Sequence, residues 1–452
     1  MSDDHSASRT DDSRRIQPAK VAQFGRLRRY TVTNLFGSYS HSFHLDYVEP
    51  TILTGANGTG KSTVLRTVSW LSKGEWGALA KIRFEQIRLE FESARLTVGK
   101  RKDGSLTVRL DRPSLKPKIW EFTPAPEPID MDSWSAAQAR LILAEESEVI
   151  PESWREIELL QDRNFRNYLV HSRRDDTPGW VKQIPSSFPT LLVSDQRLAP
   201  ERRKRPKKRG TGDTVEVVSA IESAVLHINE EVQRYKSLYG TASQNLDRDF
   251  PRRVFAAIGA PRKFGTQMSL AKEFQDVQDL RSSLAAAGLI DATEVDESFS
   301  DLPLDNPDSL ALISTYLSDT KQKLATFEPL RRRLEPFMEF LRRHYKGKKI
   351  RIDAQEGFQI SSAKTDDKIS PAHLSSGEQQ MFVLSHKLLF ESTPGTLVMI
   401  DEPELSLHVL WQSTFVDDLT EISEVSGTYF MLATHSPTLI AGRTDLRRSL
   451  DG

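Results

Sequence analysis

The chain has 452 residues, with 62 Lys and Arg against 63 Asp and Glu and a formal net charge of −1. That length holds two or three domains of material, and the balanced charge removes any whole-molecule electrostatic argument for nucleic acid. The absence of cysteine excludes disulfides, zinc–cysteine centres and thiol catalysis and fits a reducing, cytoplasmic setting, while the lack of any long apolar run removes the expectation of a membrane-spanning helix.

Residues 1–23 are polar and mixed in charge, without the apolar core of a secretion signal, and read as a disordered tail. Residues 24–200 form a first region. Short strands over 26–53 lead into Gly55-Ala56-Asn57-Gly58-Thr59-Gly60-Lys61-Ser62, and a helix-like run follows from Thr63 to Leu71. From 82 to 110 apolar and polar residues alternate (Ile87, Leu89, Phe91; Leu96, Val98; Leu106, Val108, Leu110), with Lys102-Asp103-Gly104 as a turn, which predicts an antiparallel meander. An irregular insert occupies about 113–189, with helices expected near 135–146 and 152–168. Thr190-Leu191-Leu192-Val193 then reads as a buried strand running out at Asp195-Gln196-Arg197.

Residues 201–345 open on a basic run, Arg202 to Arg205 and Lys207 to Arg209, which reads as a solvated loop or as a contact for phosphates or an acidic protein. A helical seam follows at Val218, Ile221, Val225, Ile228, Val232, Tyr235 and Tyr239, and a second at Leu324, Phe327, Leu330, Leu334, Phe337, Leu341 and Tyr345. The spacing alternates three and four, the coiled-coil period. Each seam covers about three heptads, roughly 30 Å, so short hairpins are expected, with Pro329 and Pro336 kinking the second. An acidic stretch over 291–308, expected to be mobile, lies between them. From 346 to 452 the pattern returns to strand, helix and strand.

The octapeptide at 55–62 fits the phosphate-loop pattern G-x-x-x-x-G-K-[ST] at every fixed position. Glycines allow backbone N–H groups to wrap phosphate oxygens, Lys61 supplies a point charge, Ser62 a hydroxyl for Mg²⁺, and the following helix directs its N-terminal dipole at a triphosphate. Far downstream, an apolar strand ends in Asp401-Glu402, as buried strands of parallel sheets do at their ligand-binding edge. Asp401 suits a Mg²⁺ shell and Glu402 a general base, although a strand-to-turn transition reads the same way. Leu374-Ser375-Ser376-Gly377-Glu378-Gln379-Gln380 opens a helix. Ser375 with Glu378 spells an N-capping box, and the same residues suit a second anion site. A further strand, 430–433, delivers Thr434-His435, whose histidine is either a surface residue or a third group at the same edge.

Taken together, this set resembles the ABC-type ATPases: Walker A at 55–62, signature at 374–380, Walker B ending at Asp401 with catalytic Glu402, a D-loop at 404–408 and a switch histidine at His435. The resemblance implies an α/β fold, a two-lobed P-loop ATPase head with an antiparallel subdomain and a large helical, short coiled-coil insertion. It implies ATP and Mg²⁺ as cofactors, with Gly55, Ala56, Asn57, Gly58, Thr59, Gly60, Lys61, Ser62, Thr63, Ser375, Gly377 and Gln196 at the nucleotide. Ser62, Asp401 and Gln196 would serve the metal, and Glu402, His435 and Lys61 catalysis. Gln196 fits the family's Q-loop position, and Tyr39 the adenine-stacking one. Ser376 and Glu378 depart from the commonest signature.

The run Asp401-Glu402-Pro403-Glu404-Leu405-Ser406-Leu407-His408 and the long insert resemble the SMC-like, OLD-like branch. Within it the chain is similar to ATPase subunits of PARIS-type phage defence, then Septu-type ATPases. That implies a head-to-head dimer or larger assembly, a separate Toprim-type effector nuclease, and a phage trigger protein such as a DNA mimic. No nuclease constellation is read in the sequence, and with 17 residues past His435 no Toprim domain is expected in this chain. A DNA-repair or chromosome-maintenance ATPase that clamps DNA is the alternative, and a transporter subunit the third reading.

Overall fold

The computed structural model describes residues 24–124, 177–193, 201–204, 215–258, 267–291, 306–353, 356–405, 407 and 409–451. The tail, most of the irregular insert with both its expected helices, Gln196, most of the basic run and most of the acidic stretch lie outside them.

Two sheets organise the molecule. The first is antiparallel, in the order β2-β1-β4-β5-β6-β7, from β1 (Leu27–Leu35), β2 (Tyr39–His44), β4 (Gln86–Phe91), β5 (Arg95–Lys100), β6 (Leu106–Asp111) and β7 (Lys118–Phe122). Its alternation is the expected one: Ile87, Leu89, Leu96, Val98, Leu106 and Val108 are fully buried, on the face that period-two geometry assigns them. The meander continues one strand further than expected, through β7.

The second sheet is parallel, β15-β3-β14-β13-β8, from β3 (Thr51–Thr54), β8 (Thr190–Val193), β13 (Leu397–Asp401), β14 (Tyr429–Ala433) and β15 (Arg447–Ser449). Successive side chains of a strand point to opposite faces. Leu397, Met399, Tyr429 and Met431 therefore join the core beneath the antiparallel sheet and helix α1 (Lys61–Lys73). Val398, Ile400, Phe430 and Leu432 join a second core built from helices. Being buried on both faces, these strands read as continuous apolar runs.

The helices of that second core are α2 (Ala220–Ile258), α3 (Gln267–Ala286), α4 (Pro307–Leu324), α5 (Glu328–His344), α6 (Ser376–Phe390) and α7 (Phe415–Ser426). Helix α2 has 39 residues, about 58 Å, so it runs well past the three-heptad seam and the expected short hairpin is corrected to a longer helix. Val218 lies on a strand, β10 (Val215–Val218), which pairs with β9 (Glu201–Lys204). Part of the basic run is thus strand rather than loop. The second seam breaks at a 3₁₀ turn, Ala325–Phe327, and Pro329 occupies the first turn of α5, where a missing N–H is harmless. Leu330, Leu334, Phe337 and Leu341 are fully buried. Phe337 meets Phe382 of α6 edge-on at 5.3 Å and Phe390 at 5.4 Å. The seam therefore closes the core over α6 instead of forming a free coiled coil. A hairpin, β11 (Lys348–Asp353) and β12 (Gly357–Ser362), precedes α6. Among the described residues no helix is long and apolar enough to cross a membrane.

Candidate functional site

Adjacent parallel strands end at the same edge, which is where ligands bind in such sheets. Strand β3 runs directly into the phosphate loop, β13 ends at Asp401, and β14 delivers Thr434 and His435. Gly58 and Gly60 hold φ of +86° and +95°, a region that side chains strongly disfavour. A Cβ on Gly60 would also lie 2.7 Å from Leu35 Cδ2. Thr59 braces the loop by donating its hydroxyl to Ala56 O at 3.0 Å, and the His41 ring meets Thr59 O at 2.9 Å.

Lys61 opens α1 and folds back, donating from Nζ to Gly55 O at 2.9 Å and Ala56 O at 3.1 Å. Burial lowers its pKa, and the carboxylates of Glu402, Asp451, Asp401 and Glu404 oppose that shift. The ammonium thus stands among four acids, and Ser62 stands beside it. The Ser62 hydroxyl donates to Asp401 Oδ1 at 2.9 Å, across 339 positions of sequence. No group of three or more His, Cys, Asp or Glu capable of holding a metal by themselves occurs among the described residues. A hydroxyl and one carboxylate nevertheless fit Mg²⁺, which keeps several waters and relies on substrate phosphates.

Glu402 follows at φ +45°, a left-handed conformation unusual for a residue with a side chain. Its N–H donates to Ala433 O at 2.8 Å, and Leu405 N–H donates back to Glu402 O at 3.2 Å. The strand ladder thereby extends one residue beyond β13 before the chain turns. His435 is exposed.

At 375 the capping box expected from sequence is present. Ser375 Oγ accepts from Glu378 N–H, and Glu378 returns to the Ser375 N–H at 2.9 Å. Tyr345 donates its hydroxyl to Glu378 O at 2.6 Å, so the second seam supports this helix start. Gly377 faces Trp411, where a Cβ would meet the indole at 3.4 Å. Tyr39 stacks on His41 at 5.9 Å. The structure brings Lys61, Ser62, Asp401 and Glu402 into one locality, whereas Gln196 lies outside the described residues.

At this edge one residue escapes a sequence reading, and another, within the expected D-loop, makes contacts the sequence does not show. Asp451, just past β15, accepts the Ala56 N–H at 2.7 Å. Glu404 accepts from three donors in the loop that carries His435. A cleft of about 400 Å³, lined by Gly55, Thr434, His435, Arg447 and Asp451 among others, runs along this side.

A protein-family profile described as "AAA domain, putative AbiEii toxin, Type IV TA system" matches residues 260–441, from ahead of α3 to just past the histidine loop. No curated protein matches the chain. Among solved structures, an Smc head bound to the C-terminal winged-helix domain of ScpA is 11% identical, covering 92% of this chain and 91% of that one at a TM-score of 0.34. A Pyrococcus furiosus Smc head with an extended coiled coil, bound to the C-terminal domain of ScpA, is 13% identical with the same coverage and TM-score. The SMC head domain from Thermotoga maritima is 10% identical at a TM-score of 0.32, again covering 92% of this chain and 91% of that one.

Proposed function

We propose that this chain is an ABC-type ATPase head that binds Mg-ATP on the 55–63 loop, hydrolyses it, and acts as a cytoplasmic sensor or regulator of a separate effector in phage defence. The observation that carries the ATPase reading is the Ser62–Asp401 hydrogen bond, 2.9 Å long. It joins the end of the phosphate loop to the acid of a distant strand at the place where Mg²⁺ would be held. When bound, that ion would neutralise phosphate charge as the bond to the leaving group breaks.

The loop N–H groups and Lys61 would bind the phosphates, with Lys61 leaving Gly55 O and Ala56 O to do so. Glu402, at the end of the strand, would take the proton of the attacking water. His435 would contact the terminal phosphate. Ser375 and Gly377 would complete the site of a second copy in a head-to-head dimer, and Gln196 would join the metal shell. The link to defence is supported by the profile match, whose description names a "putative AbiEii toxin" of a toxin–antitoxin system, and the regulator reading by the lack of a nuclease motif in the sequence. The effector would be a Toprim-type nuclease, and the trigger a phage protein.

Phosphate release in the presence of Mg²⁺ tests the reading. Wild type is expected to turn over ATP, Glu402→Gln to stall, and plasmid DNA to stay intact throughout. Mixing Lys61→Ala with Ser375→Ala is expected to restore part of the activity that each lacks alone, because one heterodimer site keeps both partners. Turnover in Glu402→Gln equal to wild type would refute the assignment, and plasmid cleavage that copurifies with the chain would refute the regulator.

A further inference from the structure

Three consecutive residues direct donors at a single oxygen in the loop after β14. Glu404 Oε1 accepts from the Thr434 hydroxyl at 2.8 Å, from the His435 N–H at 2.7 Å and from the Ser436 N–H at 3.1 Å. Its second oxygen is buried and has no hydrogen-bond partner among the described residues. Glu404 belongs to the 3₁₀ turn Pro403–Leu405, two residues past Glu402. Gln412 supports the arrangement from behind. It accepts the Ser436 hydroxyl at 3.0 Å and donates to Leu407 O at 3.1 Å and Glu404 O at 3.4 Å.

The acid loop and the histidine loop are thus tied twice. Glu402 N–H to Ala433 O joins their roots, and the Glu404 carboxylate joins their tips. Hydrogen bonds to a carboxylate are stronger than those between neutral groups, and three of them converge on this one oxygen. Yet none of its donors belongs to the phosphate loop, and the His435 ring stays exposed.

We infer that Glu404 is a positioning residue that sets His435 relative to Glu402 and makes the two loops move as one body. The inference rests on the ATPase reading above and adds to it a residue that acts through others. Its removal should misplace the reacting groups while sparing the phosphate cradle. Gln at 404 keeps a carbonyl acceptor for the three donors, so it should restore the geometry without the charge.

Steady-state hydrolysis and equilibrium Mg-ATP binding on wild type, Glu404→Ala and Glu404→Gln test this. The alanine variant is expected to lose roughly 10- to 100-fold in kcat, the cost of displacing reacting groups by about 1 Å, with its Kd for Mg-ATP within about threefold of wild type. The glutamine variant is expected to recover most of that loss. An alanine variant with wild-type kcat, a Kd that worsens in step with kcat, or a glutamine variant as impaired as alanine would overturn the inference. If the alanine variant does not fold, Thr434→Val removes one donor in its place, and unchanged kcat there overturns it equally. Wild type that fails to hydrolyse ATP would instead defeat the ATPase reading itself.

Discussion

Ser62→Ala is the sharpest single-residue test of the metal assignment. It removes the hydroxyl that meets Asp401 Oδ1 and leaves the glycines and Lys61 in place. The Mg²⁺ concentration needed for half-maximal hydrolysis should rise about tenfold or more, the scale on which metal sites respond to a lost supporting group. Nucleotide binding without Mg²⁺ should barely change, and an unaltered Mg²⁺ requirement would remove Ser62 from the metal shell. The phosphate loop was legible in the sequence because its chemistry is local and each fixed position has a steric or charge reason. Asp401 and Glu402 were legible because an apolar strand ending in acids is a recognisable contrast. Asp451 was not, because a lone carboxylate has no local pattern and its partner lies 395 positions away; Glu404 stands in the expected D-loop, but its tie to the histidine loop 31 positions on leaves no mark in the sequence.

At the scale of elements, the joint between α2 and α6 is expected to make stability depend on pH. His227 Nδ1 and His386 Nε2 approach to 2.9 Å. Burial first, then the His227 ring and Lys387, push His386 down to about 3. Unfolded, it would titrate near 6.5. Between those values the unfolded chain binds a proton that the folded chain refuses, so stability falls as pH drops below about 6.5. At pH 5 this group alone should cost about 2 kcal/mol. Urea unfolding at pH 7 and pH 5 should show that His386→Gln, which does not titrate, loses that part of the wild-type difference. An unchanged difference would contradict the joint. The helix itself was misjudged in length for a physical reason. The seam as read stops at Tyr239, and beyond it the helix buries Leu246 and is tied to α4 by Arg253 with Asp319 at 2.5 Å and Lys323 with Asp247 at 2.6 Å. Ion pairs between helices leave no periodic trace in the sequence.

For the whole molecule, the parallel sheet lies between two cores and places the ends of β3, β13 and β14 side by side. The apolar seams belong largely to the second core, so any partner would have to meet other surfaces. The sequence spacing could not reveal this, since a seam buried against its own fold and one awaiting a partner have the same period. What remains decisive is whether the shared edge is a nucleotide site. An equilibrium titration of Mg-ATP into wild type, Lys61→Ala and Glu402→Gln measures that most directly. Wild type and Glu402→Gln are expected to bind saturably with similar affinity, and Lys61→Ala at least tenfold more weakly, a loss of about 1.4 kcal/mol or more. Wild type that binds no nucleotide at millimolar Mg-ATP, or Lys61→Ala that binds as tightly as wild type, would contradict a nucleotide site there.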